Sequence, residues 1–530
     1  MKRTLYFILI VLIITSFISG CGKRSNPSIA EEKPWWQNAI FYEIFVRSYY
    51  DSDGDGVGDF NGITEKLDYL ANLGIEAMWL MPINPSPSYH GYDVINYYTV
   101  NPEYGTMDDF THLLDEAHAR GMHIIIDLVI NHTSNQNPWF VDANNNPNSP
   151  YRDWYIWSDS DPGYASPLGN AWHPGNQGYY YGIFSDTMPD LNYNNPQVGE
   201  EMLKIVNFWL TNVGVDGFRV DAVKYLIEEG QKQENTVSTH EWLKAFYSAY
   251  KMANPQAFTV GEVFGAGAFA ATTYLGQLDE IFSFEMAGGF VNSTQGEANT
   301  AMVSAMKFTL KDMPNGPYAT FLTNHDQNRV MSVVNGNVDK AKMAAGLMLT
   351  SPGTPFIYYG EEIGMEGVKP DEDIRRPMQW DGSANAGFTS GNSWRAPGGN
   401  YLVANVAAEI SNPDSLLSFY RNFIVLRKQH AALQDGAWVM VDSSNTGVFS
   451  ALRIDQQEAI LVVANLTNAP ITDYSLSFQS DALKKGTYKL AALFGPDTQS
   501  VLNITDGSLG GFIPVTALPP YQLCVYQLQP

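Results

Sequence analysis

Eight short runs rich in β-branched and aromatic residues recur along this chain, with amphipathic stretches between them, and that alternation constrains the fold more than any other feature. The runs are AIFYEIFV (39–46), AMWLMPI (77–83), HIIIDLV (123–129), GFRVDAV (217–223), FTVGEVF (258–264), EIFSFEM (280–286), ATFLTNH (319–325) and PFIYYGEE (355–362). Between them, stretches such as DDFTHLLDEAHARG (108–121) and EEMLKIVNFWLTNVG (200–214) carry apolar residues at three- and four-residue spacing and close on glycine. Strands alternating with helices predict an α/β class protein, and eight such units predict a closed (β/α)8 barrel.

The alternation breaks once. Residues 133–195 are too long for an ordinary connection and too aromatic for disorder, so they predict a subdomain inserted after the third strand, over the barrel mouth. After residue 435 the pattern changes to short alternating runs such as AILVVANL and YQLCVYQL with turn residues between, the pattern of an antiparallel β-sandwich. The expected organisation is a barrel over 35–132 and 196–435, the insert over 133–195, and a supporting sandwich over 436–530.

Three acids stand at the ends of successive runs: Asp221 in GFRVDAV, Glu262 in FTVGEVF and Asp326 in FLTNHDQNR. A carboxylate at the mouth of an apolar strand is costly to desolvate, so it is paired, metal-bound or catalytic. One such acid is as readily an ion pair or a loop cap; three in succession, where the C-terminal ends of barrel strands meet, predict catalysis. Arg219 precedes Asp221 by two, so on a strand both face the same way, and a guanidinium there favours the ionised carboxylate. Glu262 is flanked by Val260 and Phe264, which predict an apolar wall that raises its pKa.

The 530 residues are 45% hydrophobic and include 12 Trp and 30 Tyr, enough for a large core and an aromatic cleft. A formal charge of −25 excludes broad electrostatic binding to nucleic acid or anionic headgroups and leaves a neutral substrate unaffected. Lys2 and Arg3 followed by an apolar stretch to Ile14 form a targeting segment too short for a permanent membrane span. Ile18-Ser19-Gly20-Cys21 resembles a bacterial lipobox, which implies cleavage after residue 20 and lipidation of Cys21. The signal peptide is then 1–20, a polar tether runs over 21–34, and the protein is expected in the cell envelope outside the cytoplasm, anchored to the membrane or released. Only Cys524 would remain as a thiol, so no intramolecular disulfide is expected, and its setting in YQLCVYQL predicts a core position.

Asp51-Ser-Asp-Gly-Asp-Gly-Val-Gly-Asp59 places acids at the first, third, fifth and ninth positions and glycine at the sixth, as in a calcium-binding loop. The twelfth position is Gly62 rather than Glu and no helix precedes the loop, so it is not an EF-hand. The expected ligands of Ca2+ are Asp51, Asp53, Asp55, Asp59 and the Val57 carbonyl; the other reading is a solvated acidic turn.

Over nearly its whole length the chain resembles the α-amylase family of retaining glycoside hydrolases (glycoside hydrolase family 13). The resemblance rests on four motifs in order, DLVINH (127–132), GFRVDAVKY (217–225), VGEVF (260–264) and TNHDQNR (323–329), with a fifth, MPDLN (188–192), in the insert. It implies an eight-stranded barrel with the same insertion and C-terminal sandwich. It implies Asp221 as nucleophile, Glu262 as acid and then base, and Asp326 as a ligand of the sugar hydroxyls. It further implies His132 and His325 as hydroxyl donors, Tyr92 and Asp93 as platform and hydroxyl ligand, and His90 and Lys224 as additional substrate contacts. Related enzymes carry an acidic loop like 51–59, and many amylases hold another calcium at the asparagine that corresponds to Asn131. That residue is otherwise a structural hydrogen bonder, and Tyr225 stands where those amylases often have His.

Substrate signals are mixed: DAVKY and VGEVF look amylase-like, while RRPMQWDGSANAGF (375–388) and the acidic loop look closer to oligo-1,6-glucosidases. The expectation is a monomeric α-amylase cutting internal α-1,4 bonds of starch and maltooligosaccharides. The alternatives are an exo-acting α-glucosidase, an oligo-1,6-glucosidase or a glucosyltransferase on short α-glucans, and, more remotely, a noncatalytic carbohydrate-binding relative. Trp139, Trp154, Trp157 and Trp172 of the insert either stack on glucose rings or form its core.

Overall fold

The computed structural model describes residues 33–265, 268–313 and 316–530. The targeting segment and Cys21 lie outside the described residues, and among the described ones no helix is long and apolar enough to cross a membrane.

The eight expected strands form one closed parallel barrel. In chain order they are β1 (Phe41–Ile44), β2 (Ala77–Leu80), β3 (His123–Leu128), β4 (Gly217–Val220), β5 (Phe258–Gly261), β6 (Glu280–Phe282), β7 (Tyr318–Thr320) and β8 (Thr354–Tyr358). Each pairs with its sequence neighbour, and β8 closes on β1. Side chains alternate between two apolar environments, as the period of a strand requires. Phe41, Trp79, Ile125, Phe258, Val260, Phe282 and Phe356 fill the barrel interior, whereas Tyr42, Met78, Ile124, Ile126 and Phe218 pack outward against the helices. The inner rings touch directly: Phe41 stacks on Phe356 at 4.3 Å and Phe282 meets Phe356 edge-on at 5.0 Å. A short 3-10 turn, Trp35–Asn38, lays Trp36 across Phe258 and closes the barrel's N-terminal end.

The helices start where local chemistry supplies a cap. In α1 (Met107–Ala119), Thr106 and Asp109 form a reciprocal capping box, and the buried stripe is Phe110, Leu113, Leu114 and Ala117. In α2 (Pro196–Asn207), Asn195 caps, proline occupies the first turn, and the helix runs on through a wider π turn at Phe208–Val213 to left-handed Gly214.

The insert builds a small sheet from Trp157–Ser158, Gly178–Tyr181 and Trp172–Gly175. Its tryptophans are mostly spent on that core: Trp154 and Trp172 are buried, Trp139 packs on Trp154 at 4.9 Å, and Trp157 lies under the Arg152 guanidinium. The insert is sewn to the barrel by a bridge between His132 and Asp190, with the Leu191 amide donating to the Asn131 carbonyl.

The C-terminal part is a sandwich. Six antiparallel strands lie in the order Ala437–Met440, Val448–Ile454, Ala459–Asn465, Leu523–Gln529, Gly486–Phe494 and Val501–Ile504, opposite a three-stranded sheet. Cys524 is fully buried between the sheets, and burial pushes its thiol up to about 11. Two buried arginines hold the junction of sandwich and barrel near the ends of α3 (Val338–Thr350) and α4 (Leu416–Gln429), Arg427 by tying α4 to the end of α3 and Arg453 by reaching across from the sandwich. Arg427 donates to the carbonyls of Leu349, Ser351 and Gly353, and Arg453, from the sandwich, to those of Thr350, Gln434 and Gly436. Burial lowers the pKa of both guanidinium groups, and these carbonyls are what keep the charge tolerable inside.

Arg453→Met should therefore cost about 3 kcal/mol of stability, because the methionine fills the space but orphans three buried carbonyls. A urea midpoint within about 0.5 kcal/mol of the parent would show that the guanidinium does not hold this junction.

Candidate active site

The register of the strands, fixed by the barrel, decides which side chains meet at its mouth. Arg219 of β4 lies opposite Asp127 of β3 and Val260 of β5. One residue beyond the strands, the Asp221 amide still donates to the Leu128 carbonyl and the Glu262 amide to the Val220 carbonyl. Asp221 and Glu262 are thus held side by side on continuing ladders rather than on free loops.

At the centre is the Arg219 guanidinium, almost fully buried and seated over the Trp79 ring at 5.2 Å. Its Nη1 donates to both oxygens of Asp127, at 2.9 and 3.1 Å, and to Asp221 Oδ1 at 2.5 Å, and its Nη2 stands 3.9 Å from Glu262 Oε2. Ala222 adopts a left-handed conformation (φ 50°, ψ 34°), strained for a residue with a Cβ, and so turns its amide to Glu262 Oε2 at 3.1 Å. The Phe264 amide serves Glu262 Oε1 at 3.2 Å.

The electrostatics separate Glu262 from Asp326. Burial raises the pKa of Glu262, Arg219 opposes it, and the Asp221 and Asp326 carboxylates add to the rise. The expected apolar wall is not the cause: Val260 belongs to the barrel core, and the Phe264 side chain is 55% exposed and rests on Phe284. Asp326 has a 54% exposed side chain. Partial desolvation works upward on it, but His325, Arg375, Arg219 and Lys369 bring it down to about 2.

The remaining expected residues gather around this centre. The Tyr92 hydroxyl bonds Asp127 Oδ2 at 3.0 Å and His325 Nε2 at 2.7 Å. His325 Nδ1 meets Glu43 at 2.6 Å; burial works against its protonation, but Asp326 and Glu43 outweigh that and raise its pKa. His132 is buried, its Nε2 donating to the Tyr92 carbonyl, and burial lowers its pKa. Asp93 is buried and accepts from Ser86 and Ser88, while His90 takes the Tyr92 amide. Lys224 is paired with Glu234 at 2.7 Å.

Residues that the sequence reading passed over complete the constellation. Asp127 and Glu43 are buried strand acids like Asp221, which was the available signal. Arg375, in the quoted RRPMQW segment, bonds Asp326 Oδ1 at 2.9 Å and the His325 carbonyl at 2.9 Å, and only the fold brings it there.

Two oxygen clusters suit a hard divalent cation. In the acidic loop, Asp51, Asp53 and Asp59 converge to within 4.8 Å, while Asp55 stands outside the trio, its Oδ1 accepting the Val57 amide. The loop packs so closely on residues 390–394 that a Cβ at Gly56 (φ 97°) would lie 1.8 Å from the Asn392 carbonyl oxygen. The other cluster is at Asn131. Asn131 Oδ1, Asp190 Oδ2, Glu228 Oε1 and the Tyr181 hydroxyl are buried without hydrogen-bond partners. Burial and the neighbouring Glu228 push Asp190 up, and burial carries Glu228 to about 7. Four orphaned oxygens with two mutually repelling carboxylates fit an oxygen-ligated ion. Asp190 of MPDLN and Glu228 were not anticipated as ligands.

Comparison with known proteins agrees with this geometry. Residues 43–436 match the family model described as "Alpha amylase, catalytic domain". Alpha-amylase 3 of Dictyoglomus thermophilum is 42% identical over 471 residues, covering 88% of this chain and 90% of that protein. An oligo-1,6-glucosidase of Heyndrickxia coagulans is 33% identical, covering 83% and 93% respectively. The crystal structure of an α-amylase from H. orenii superposes with a TM-score of 0.79 at 36% identity, over 93% of this chain and all of that one. The barrel, its inserted subdomain, its sandwich and these matches together establish that the chain belongs to the α-amylase family, glycoside hydrolase family 13.

Proposed function

We propose that the protein is a retaining, endo-acting α-amylase that hydrolyses α-1,4-glucosidic bonds of starch and maltooligosaccharides. The observation that carries this reading is the single guanidinium of Arg219 shared by Asp221 and Glu262, which holds two carboxyls side by side, as a double displacement needs. Asp221 attacks the anomeric carbon as Glu262 gives its proton to the departing glycosidic oxygen, and a glycosyl ester forms. Glu262, now ionised, takes a proton from water, which displaces Asp221 and regenerates both groups. Asp326, held ionised by His325 and Arg375, binds sugar hydroxyls at the ring that flattens. Tyr92, Asp93, His90, His132 and His325 surround that ring, and Lys224 lines the leaving-group side.

Support for internal cleavage comes from the higher identity to the amylase than to the glucosidase. An aromatic hollow of about 310 Å³ that starts at Val263, the residue after Glu262, and is lined by Phe264, Phe284 and Phe308 would offer rings on which further sugars could stack. Incubation with amylose should discharge the iodine colour while few reducing ends have formed, and Asp221→Asn should lower the rate at least about 10⁴-fold. Slow colour loss with accumulating glucose would instead identify an exo-acting α-glucosidase. Preferential release of glucose from isomaltose-type substrates would identify an oligo-1,6-glucosidase.

The raised pKa of Glu262 sets the alkaline limb of kcat/KM, because activity falls as the acid ionises. Removing one of the carboxylates that raise it must move the limb downward. Asp326→Asn should shift the alkaline pKa to lower pH as well as reducing the rate, and an unmoved limb would mean that Glu262 is not the titrating acid.

Calcium, which members of the family often bind, would be held by Asp51, Asp53 and Asp59 in the loop and by Asn131, Asp190 and Glu228 beneath the insert. Bound there, it would neutralise carboxylates that otherwise repel one another. Exhaustive chelation should lower Tm by roughly 5 °C, reversibly. Asp51→Asn and Asp190→Asn should each remove one equivalent of bound calcium, and an unchanged Tm with no calcium released would overturn both assignments.

A further inference from the structure

At the end of the barrel opposite the proposed catalytic mouth, two histidines and an aspartate converge. His118 Nε2 lies 2.8 Å from Asp216 Oδ2 and His123 Nδ1 lies 2.9 Å from Asp216 Oδ1. One donor atom from each of the three residues lies within 4.8 Å of the other two. The residues come from three elements: the last turn of α1, the first position of β3, and the residue just before β4. The four residues of β4 separate Asp216 from Asp221, five steps apart and roughly 16 Å at the rise of a strand.

We propose that His118, His123 and Asp216 form a binding site for a divalent first-row cation, zinc foremost, distinct from the calcium-type oxygen clusters and from the catalytic centre. The donor set is the reason for the metal class. Two imidazole nitrogens and one carboxylate suit zinc, copper or nickel, whereas calcium takes oxygen ligands. Three protein ligands leave a tetrahedral zinc one position for water.

The surroundings hold the ligands as a metal site requires. Asp216 is pinned: its amide bonds the Ile124 carbonyl, its carbonyl accepts from Phe258, and its Oδ2 accepts the Ile124 amide at 2.7 Å. The His123 ring is fixed by the Trp35 indole, stacked on it at 3.9 Å and itself anchored to the Gln256 carbonyl. Such outer contacts orient a ligand before the ion arrives. His118 is the most exposed member, with a side chain 38% exposed, against 33% for His123 and 17% for Asp216. Zinc at bond lengths of about 2.0–2.2 Å needs donors only roughly 3.5 Å apart, so a modest rotation of His118 closes the set. The end of α1 adds the partial negative charge of its free carbonyls, and the acidic chain as a whole attracts cations. An ion here would tie α1, β3 and β4 together at the N-terminal end of the barrel, where residues serve stability.

The test uses untagged full-length protein, stripped with chelator, returned to saturating calcium and then titrated with zinc chloride by calorimetry. The expected result is one zinc per chain at this site and a rise in Tm on the order of 2 °C. Cobalt in place of zinc should give the visible bands of a tetrahedral complex. His118→Ala, an exposed helix position, should weaken zinc binding at least about tenfold with starch hydrolysis unchanged, and His112→Ala, exposed on the same helix, should leave binding intact. Absence of binding at 100-fold molar excess, zinc affinity unaltered by His118→Ala, or equal loss in His112→Ala would each overturn the assignment and leave the cluster as a hydrogen-bonded ion pair.

Discussion

Everything at the barrel mouth is organised by one buried cation. Arg219 has no route to solvent, so its charge is tolerable only while carboxylates surround it, and the strand register supplies Asp127 from one neighbour while Asp221 and Glu262 close from above. The guanidinium's planar fork matters here: a lysine ammonium would present one point of charge where three carboxylates must be served. Below it, the buried ring of Trp79 gives a flat floor. Burial and the neighbouring carboxylates raise the pKa of Glu262, while His325 and Arg375 outweigh desolvation and lower that of Asp326.

The insert and the sandwich act on this centre from opposite directions. The insert reaches it through the His132–Asp190 bridge, so the segment carrying Asp190 shares a backbone ladder with the one carrying His132. The sandwich acts at a distance, through Arg453 and the Thr350 carbonyl at the end of α3, the helix that delivers the chain to β8. Closure of β8 on β1 in turn places Glu43, the partner of His325.

The strands, helices, insert and sandwich were legible in the sequence because each is written in a local period, and each of the eight barrel strands matches a run named from it to within one residue. Asp221, Glu262 and Asp326 were legible because a strand-end acid is anomalous wherever it occurs. Contacts between distant segments were not. Arg375 reaches Asp326 across 49 positions and Asp190 meets Asn131 across 59, and nothing in the residues themselves announces such pairs. The setting of Glu262 was misread for a related reason: its neighbours in sequence, Val260 and Phe264, point away, and the environment that raises its pKa is assembled from other strands. The aromatic richness of the insert was plain, yet only packing shows that Trp154 and Trp172 are used inside it.

The left-handed Ala222 carries an evolutionary tension. A residue with a Cβ gives up roughly 1 kcal/mol or more to hold that conformation, and the return is an amide aimed at Glu262. Glycine would remove the strain, but it would also let the peptide swing among orientations that no longer meet the carboxylate. At this one position, selection for a more robust fold and selection for a better-defined proton donor would pull toward different amino acids.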